Sequence, residues 1–213
     1  MLYKTSWKMQ EDAGKTHSIP QGASLSDEEK GFLESTTYNK IYFYSDITPD
    51  RILMLTKMLQ EKIDDFAFKK QIWSLAENPI LHLHIQSYGG LVHSALATYD
   101  AIKTSKIPIH TYVDGVSASA ATLLNIAGTK RFIYENSFML IHQVRMEYWG
   151  TFTHQELSDD QKNSENLMKA LKKIYLESTK LKESKIDELM KHDLYFSAEE
   201  CLEHGLVDEI VGR

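Results

Sequence analysis

The chain has 213 residues, 42% hydrophobic and 25% charged, which is the size of one domain and the composition of a globular rather than a disordered protein. Its 24 basic residues are scattered among 30 acidic ones, for a net charge of −6, and this excludes the basic stripe of a nucleic-acid binder. The single cysteine excludes an intrachain disulfide, and no stretch is long and apolar enough for a bilayer span or a signal-peptide core, so a cytoplasmic protein is expected.

Residues 1–39 carry no clean periodicity and hold Gly14, Pro20, Gly22 and the acidic run Asp27-Glu28-Glu29, the pattern of a flexible extension. From Lys40 to Arg213 the signals are those of a folded domain. Ile41 to Tyr44 is β-branched and aromatic, a strand. Thr48-Pro49 supplies an N-cap and a first-turn proline. Ile52, Leu55, Leu59, Ile63 and Phe66 follow at helical spacing, which predicts an amphipathic helix from Pro49 to about Lys70.

The run Ile80 to Ile85 predicts a second strand, halted by Ser87-Tyr88-Gly89-Gly90, and Leu91 to Lys103 reads as a helix. Pro108 to Val113 is a third strand. It is followed by a small-residue turn from Gly115 and a short apolar helix from Ser119 to Ala127. Arg131 to Tyr134 and Phe138 to His142 read as two further strands, and a long helix is expected from about Thr153 to Thr179, with a second helical stretch to His192. Ser197-Ala198-Glu199-Glu200 is a capping box, Gly205 ends the helix it starts, and Leu206 to Val211 closes as a strand. Within that helix, Cys201 and Leu202 are expected near the buried side, the thiol being structural. Alternating strands and helices imply an α/β domain with a largely parallel sheet.

Parallel α/β sheets place reactive groups in loops at the carboxyl ends of their strands. Here those ends carry Ser119, beside a helix N-terminus, and His142, at the end of an apolar run. A hydroxyl is a poor nucleophile near neutrality and needs a base, which in turn needs an orienting carboxylate. Asp193, just before the capping box, is a candidate for that carboxylate, and Ser117 competes with Ser119. The amides of Gly90 and Ala120 are candidate oxyanion donors, because glycine permits close backbone approach and the first amides of a helix are unpaired. There is no Gly-x-Ser-x-Gly, and the order Ser, His, Asp differs from that of the α/β-hydrolases, which argues against a lipase or esterase. The glycine loop lacks the spacing of a dinucleotide or Walker motif. His82 and His84 share a strand face, yet no further cluster has ligand spacing, so they read as strand residues and no metal is expected.

From Ile41 to Val211 the chain resembles the ClpP family, the proteolytic subunits of ATP-dependent Clp proteases. The resemblance rests on Ala76-Glu77-Asn78-Pro79, Ser87-Tyr88-Gly89-Gly90, Gly115-Val116-Ser117-Ala118-Ser119-Ala120 and Asn136-Ser137…Ile141-His142-Gln143. Ser197-Ala198-Glu199-Glu200 followed by Gly205-Leu206-Val207-Asp208 completes it. It implies a crotonase-like fold of stacked ββα units, with the long helix protruding as a handle. It also implies Ser119 as nucleophile, His142 as base, Asp193 as its orienter, and Gly90 and Ala120 as the oxyanion amides. Implied assembly and partners are heptameric rings stacked as a tetradecamer, a Clp-type AAA+ unfoldase and unfolded protein substrates. No cofactor is implied in this chain, since ATP is used by the partner. Three departures are visible: Tyr88 stands where the family usually has proline, His82 and His84 replace aromatic strand positions, and Val144-Arg145-Met146-Glu147 replaces Pro-Leu-Gly-Gly. Two other readings remain, a latent scaffold subunit of a mixed ring and an acyl-CoA enzyme of the crotonase superfamily.

Overall fold

The computed structural model describes residues 39–73, 79–146, 148 and 150–213. The extension expected over 1–39 lies, apart from Asn39, outside them, as do Glu77 and Glu147.

A parallel sheet of order β1-β2-β3-β4-β7 forms from β1 (Lys40–Tyr44), β2 (Leu81–Ser87), β3 (Ile109–Ala118), β4 (Lys130–Tyr134) and β7 (Glu209–Val211). Two short strands, β5 (Phe138–Leu140) and β6 (Tyr195–Phe196), join it off that path. β3 pairs with β2 along one edge and is long enough to serve two neighbours along the other. Its first half, His110 to Val113, pairs with β4, and its last residues, Val116 to Ala118, pair in parallel with β5. β6 then runs antiparallel along the other edge of β5.

The helices are α1 (Pro49–Trp73), α2 (Val92–Lys103), α3 (Ala121–Ile126), α4 (His154–Ser178), α5 (Glu183–Leu189) and α6 (Ala198–Glu203). α4 and α6 both start at capping boxes, Thr153 with Glu156 and Ser197 with Glu200, which satisfy amides that the first turn leaves unpaired. One apolar core spans Phe43, Leu83, Ile85 and Val113 of the sheet and Leu55, Phe66, Leu123 and Leu124 of the helices, all essentially inaccessible to solvent. At about 25 cal/mol per Å² of apolar surface removed from water, this burial is the main force holding helices to sheet. Arg131 on β4 ties the end of α4 to the end of α6 by donating to the carbonyls of Ser178 (2.6 Å) and Gly205 (2.9 Å).

The other face of the sheet carries a ladder of stacked rings, Tyr42, His84, Tyr112 and Phe132, one from each of four neighbouring strands, with centroids 4.5–4.6 Å apart. His84 Nδ1 lies 2.9 Å from an Asp114 oxygen, and Tyr44 donates to the same carboxylate at 2.5 Å. His82 Nδ1 meets the Tyr112 hydroxyl at 2.9 Å. The two strand histidines are thus engaged by tyrosine and aspartate. Burial, with the positive charges nearby, holds His82 and His110 below the ordinary histidine range.

Several boundaries differ from the sequence reading. The small-residue segment before Ser119 is strand, not turn: β3 continues through Gly115 (φ +80°) to Ala118, because β5 offers it a second partner. The helix beyond begins only at Ala121. The closing strand is shorter, Glu209–Val211. Leu202 is 36% exposed, so of the pair only Cys201 is buried. Burial pushes the Cys201 thiol up to about 12, and it acts as a small apolar core residue.

Candidate functional site

The three-residue strand β5 organises the site. Its parallel register sets Ala118 beside Leu140, so Ser119 and His142 leave adjacent strand ends on the same side of the molecule. The Ser119 amide donates to the Leu140 carbonyl at 2.8 Å and fixes that spacing. Along the other edge, Leu140 pairs with Tyr195 and Met139 with Phe196 in antiparallel register. Continuing that register outward by two residues brings Asp193 opposite His142. The Gln143 amide bonds to the Met190 carbonyl at 3.1 Å and holds the two segments together.

The side chains complete the geometry. His142 Nε2 lies 2.6 Å from Ser119 Oγ, and His142 Nδ1 lies 3.0 Å from Asp193 Oδ1. With Nδ1–H donating to the carboxylate, Nε2 is left to accept the serine proton. Ser119 is the only non-glycine residue at positive φ (+55°) among the described residues, a conformation that costs an L-residue about 1 kcal/mol or more. Ser117, in contrast, is fully buried inside β3, and its hydroxyl has no partner among the described residues. The structure thus brings Ser119, not Ser117, to the histidine.

Two glycines shape the far wall. Gly89 (φ +106°) lies against the serine: a Cβ there would sit 2.7 Å from Ser119 Cβ and 2.8 Å from the Ala118 carbonyl oxygen. Gly90 (φ +144°) presses on the turn before α1, where an added Cβ would fall 2.3 Å from the Ile47 carbonyl oxygen. Only glycine fits either place. The chain crosses at this point through Ile47, whose amide donates to the Gly89 carbonyl (2.7 Å) and whose carbonyl accepts from Leu91 (2.9 Å). The amides of Gly90 and Ala120 donate to no carbonyl or side chain among the described residues, and both residues line the same cleft.

That cleft, of about 200 Å³, has apolar walls from Val92, Leu123, Val144, Leu171 and Tyr175. Tyr175 is buried on α4 with its hydroxyl 2.5 Å from Thr122 Oγ1, and Thr122 in turn donates to the Ser119 carbonyl at 2.6 Å. Burial raises the Tyr175 phenol to about 12, so it stays neutral. The long helix therefore supports the serine turn from below, a link that the helical periodicity of α4 did not reveal. Sequence reasoning also missed Arg145, which pairs with Asp193 Oδ2. Its one signal was that residues 144–147 differ from the expected family pattern.

The fold and site define a class: a parallel α/β protein that sets a serine, a histidine and an aspartate at the ends of neighbouring strands, beside backbone amides that donate to nothing among the described residues. A model of the Clp protease family matches residues 35–213. The chain belongs to the Clp protease family, a family of peptidases. It is similar in fold to the solved structure of a single-residue mutant of ClpP1 from Listeria monocytogenes. The TM-score is 0.70 at 21% identity, over 83% of this chain and 92% of that one. Among the described residues, no helix is long and apolar enough to cross a membrane.

Proposed function

We propose that this proteolytic subunit is a serine endopeptidase with Ser119 as nucleophile, His142 as general base and Asp193 as the carboxylate that orients it. The observation that carries the reading is the unbroken run of hydrogen bonds from Ser119 through His142 to Asp193, beside two amides with no acceptor among the described residues. Ser119 Oγ attacks the peptide carbonyl carbon while its proton passes to His142 Nε2. The carbonyl oxygen gains negative charge and rests on the Gly90 and Ala120 amides. His142 then gives the proton to the departing amine, leaving an acyl-Ser119 ester that water hydrolyses by the same relay. An aligned 2.6 Å contact supports an active rather than a latent subunit. The chemistry needs no metal or cofactor in this chain.

The apolar walls beside Ser119 favour an apolar side chain next to the scissile bond. Family membership supports the remaining parts of the proposal: stacked heptameric rings, an AAA+ unfoldase that delivers unfolded chains, and a cytoplasmic setting. The test is hydrolysis of a fluorogenic peptide by the purified protein, alone and with an unfoldase, alongside a mass measurement of the assembly. Ser119→Ala is expected to abolish hydrolysis and Ser117→Ala to retain it. Full activity in Ser119→Ala would overturn the assignment.

A further inference from the structure

We infer that Arg145 is a positioning residue for the Ser119–His142–Asp193 relay, holding the Asp193 carboxylate in the plane that His142 needs; the inference rests on the serine-peptidase reading. Asp193 offers one oxygen to His142, and the other is taken by the Arg145 guanidinium. The carboxylate needs that second hold, because its side chain is 54% exposed, whereas the histidine it orients is only 14% exposed. A carboxylate so open to water rotates freely about its last bond unless both oxygens are engaged. Among the described residues, its side-chain partners are His142 and Arg145.

Arg145 is itself well placed to serve. The backbone on its N-terminal side is pinned twice, by the Gln143 amide on Met190 O (3.1 Å) and by the Val144 amide on Met168 Sδ (3.2 Å). The guanidinium therefore starts from a fixed origin and has only its own side chain to order. The contact is made by one terminal guanidinium nitrogen, Nη2, on Asp193 Oδ2, the oxygen that His142 leaves open.

The test is the rate at which a fluorophosphonate probe labels the full-length protein near neutrality, measured beside thermal melts for wild type, Arg145→Gln, Arg145→Lys and Ser119→Ala. Arg145→Gln is expected to label about two- to fivefold more slowly while melting at the wild-type temperature, since the pair is exposed. Arg145→Lys, which keeps the cation, should recover the rate in part. An Arg145→Gln protein that labels as fast as wild type, one that slows only as its melting temperature falls, or an Arg145→Lys protein no faster than Arg145→Gln overturns the inference. A wild-type protein that labels no faster than Ser119→Ala overturns instead the serine-nucleophile reading on which it stands.

Discussion

The two ends of the Ser119–His142–Asp193 relay are built on different physical principles. At the serine end the backbone does the positioning. Ser119 sits at positive φ at the end of β3, Gly89 and Gly90 leave no room for a Cβ, and Thr122 and Tyr175 brace the turn from beneath. At the carboxylate end, positioning falls to charge: Asp193 is more than half exposed and is held by one imidazole and one guanidinium. Steric constraint in a close-packed interior is rigid and unforgiving, whereas an exposed ion pair is weak and adjustable. Substitutions at the enclosed end should therefore damage fold and activity together, and those at the open end should damage activity alone.

Apart from loss of the Ser119 nucleophile itself, the largest expected effect is at the open end. Asp193→Ala should lower kcat by roughly three to four orders of magnitude, as loss of the orienting carboxylate does in serine hydrolases. Its melting temperature should stay within about 2 °C of wild type, because no buried contact is lost. A large fall in melting temperature would show that the open end is structural after all. Gly90→Ala comes next, with kcat expected to fall about 10²- to 10³-fold as an oxyanion donor is displaced. In contrast to Asp193→Ala, it should also destabilise the protein, since the Ile47 carbonyl must move to admit the methyl group.

Tyr175→Phe should be smaller again, with about 1 kcal/mol lost in denaturant unfolding as the Thr122 bond disappears, and a several-fold drop in kcat. A loss of stability with unchanged kcat would separate the brace from the serine turn. Smallest should be a pH effect outside the relay. His82 and His110 lie below the ordinary histidine range, so below a pH of about 6.5 the unfolded chain binds protons that the folded sheet refuses. Their contribution is complete above that pH and is lost as pH falls toward the depressed folded values. Thermal melts of wild type and His110→Gln should therefore diverge as pH drops from about 7 to about 5, wild type losing more. Parallel curves would show that the histidines titrate alike in both states.

Much of this architecture could be read from the sequence because long elements leave long patterns. The helical recurrence from Ile52 to Phe66 marked α1, and the long-helix signal near 153–179 became His154–Ser178 with Thr153 as its cap. Ser119 stood out because a small-residue segment enters an apolar helix there, and His142 because an apolar run ends at it. What escaped notice was short or non-local. β6 is two residues long, below the length at which alternation carries a signal, yet its register is what sets Asp193 opposite His142. The stretch from Gly115 to Ala118 has the composition of a turn and becomes strand only because β5, some 20 residues later, pairs with it. Local propensity could not reveal that partner. Arg145 and the Thr122–Tyr175 bond lie in the same class, since each depends on residues 48 and 53 positions apart in the chain.

The measurement that bears most directly on the central claim is peptide mass mapping of the fluorophosphonate adduct on the native protein and on His142→Ala. One adduct is expected, on Ser119, and it should disappear when His142 is replaced. An adduct on Ser117, or one on Ser119 that forms equally fast without the imidazole, would contradict it.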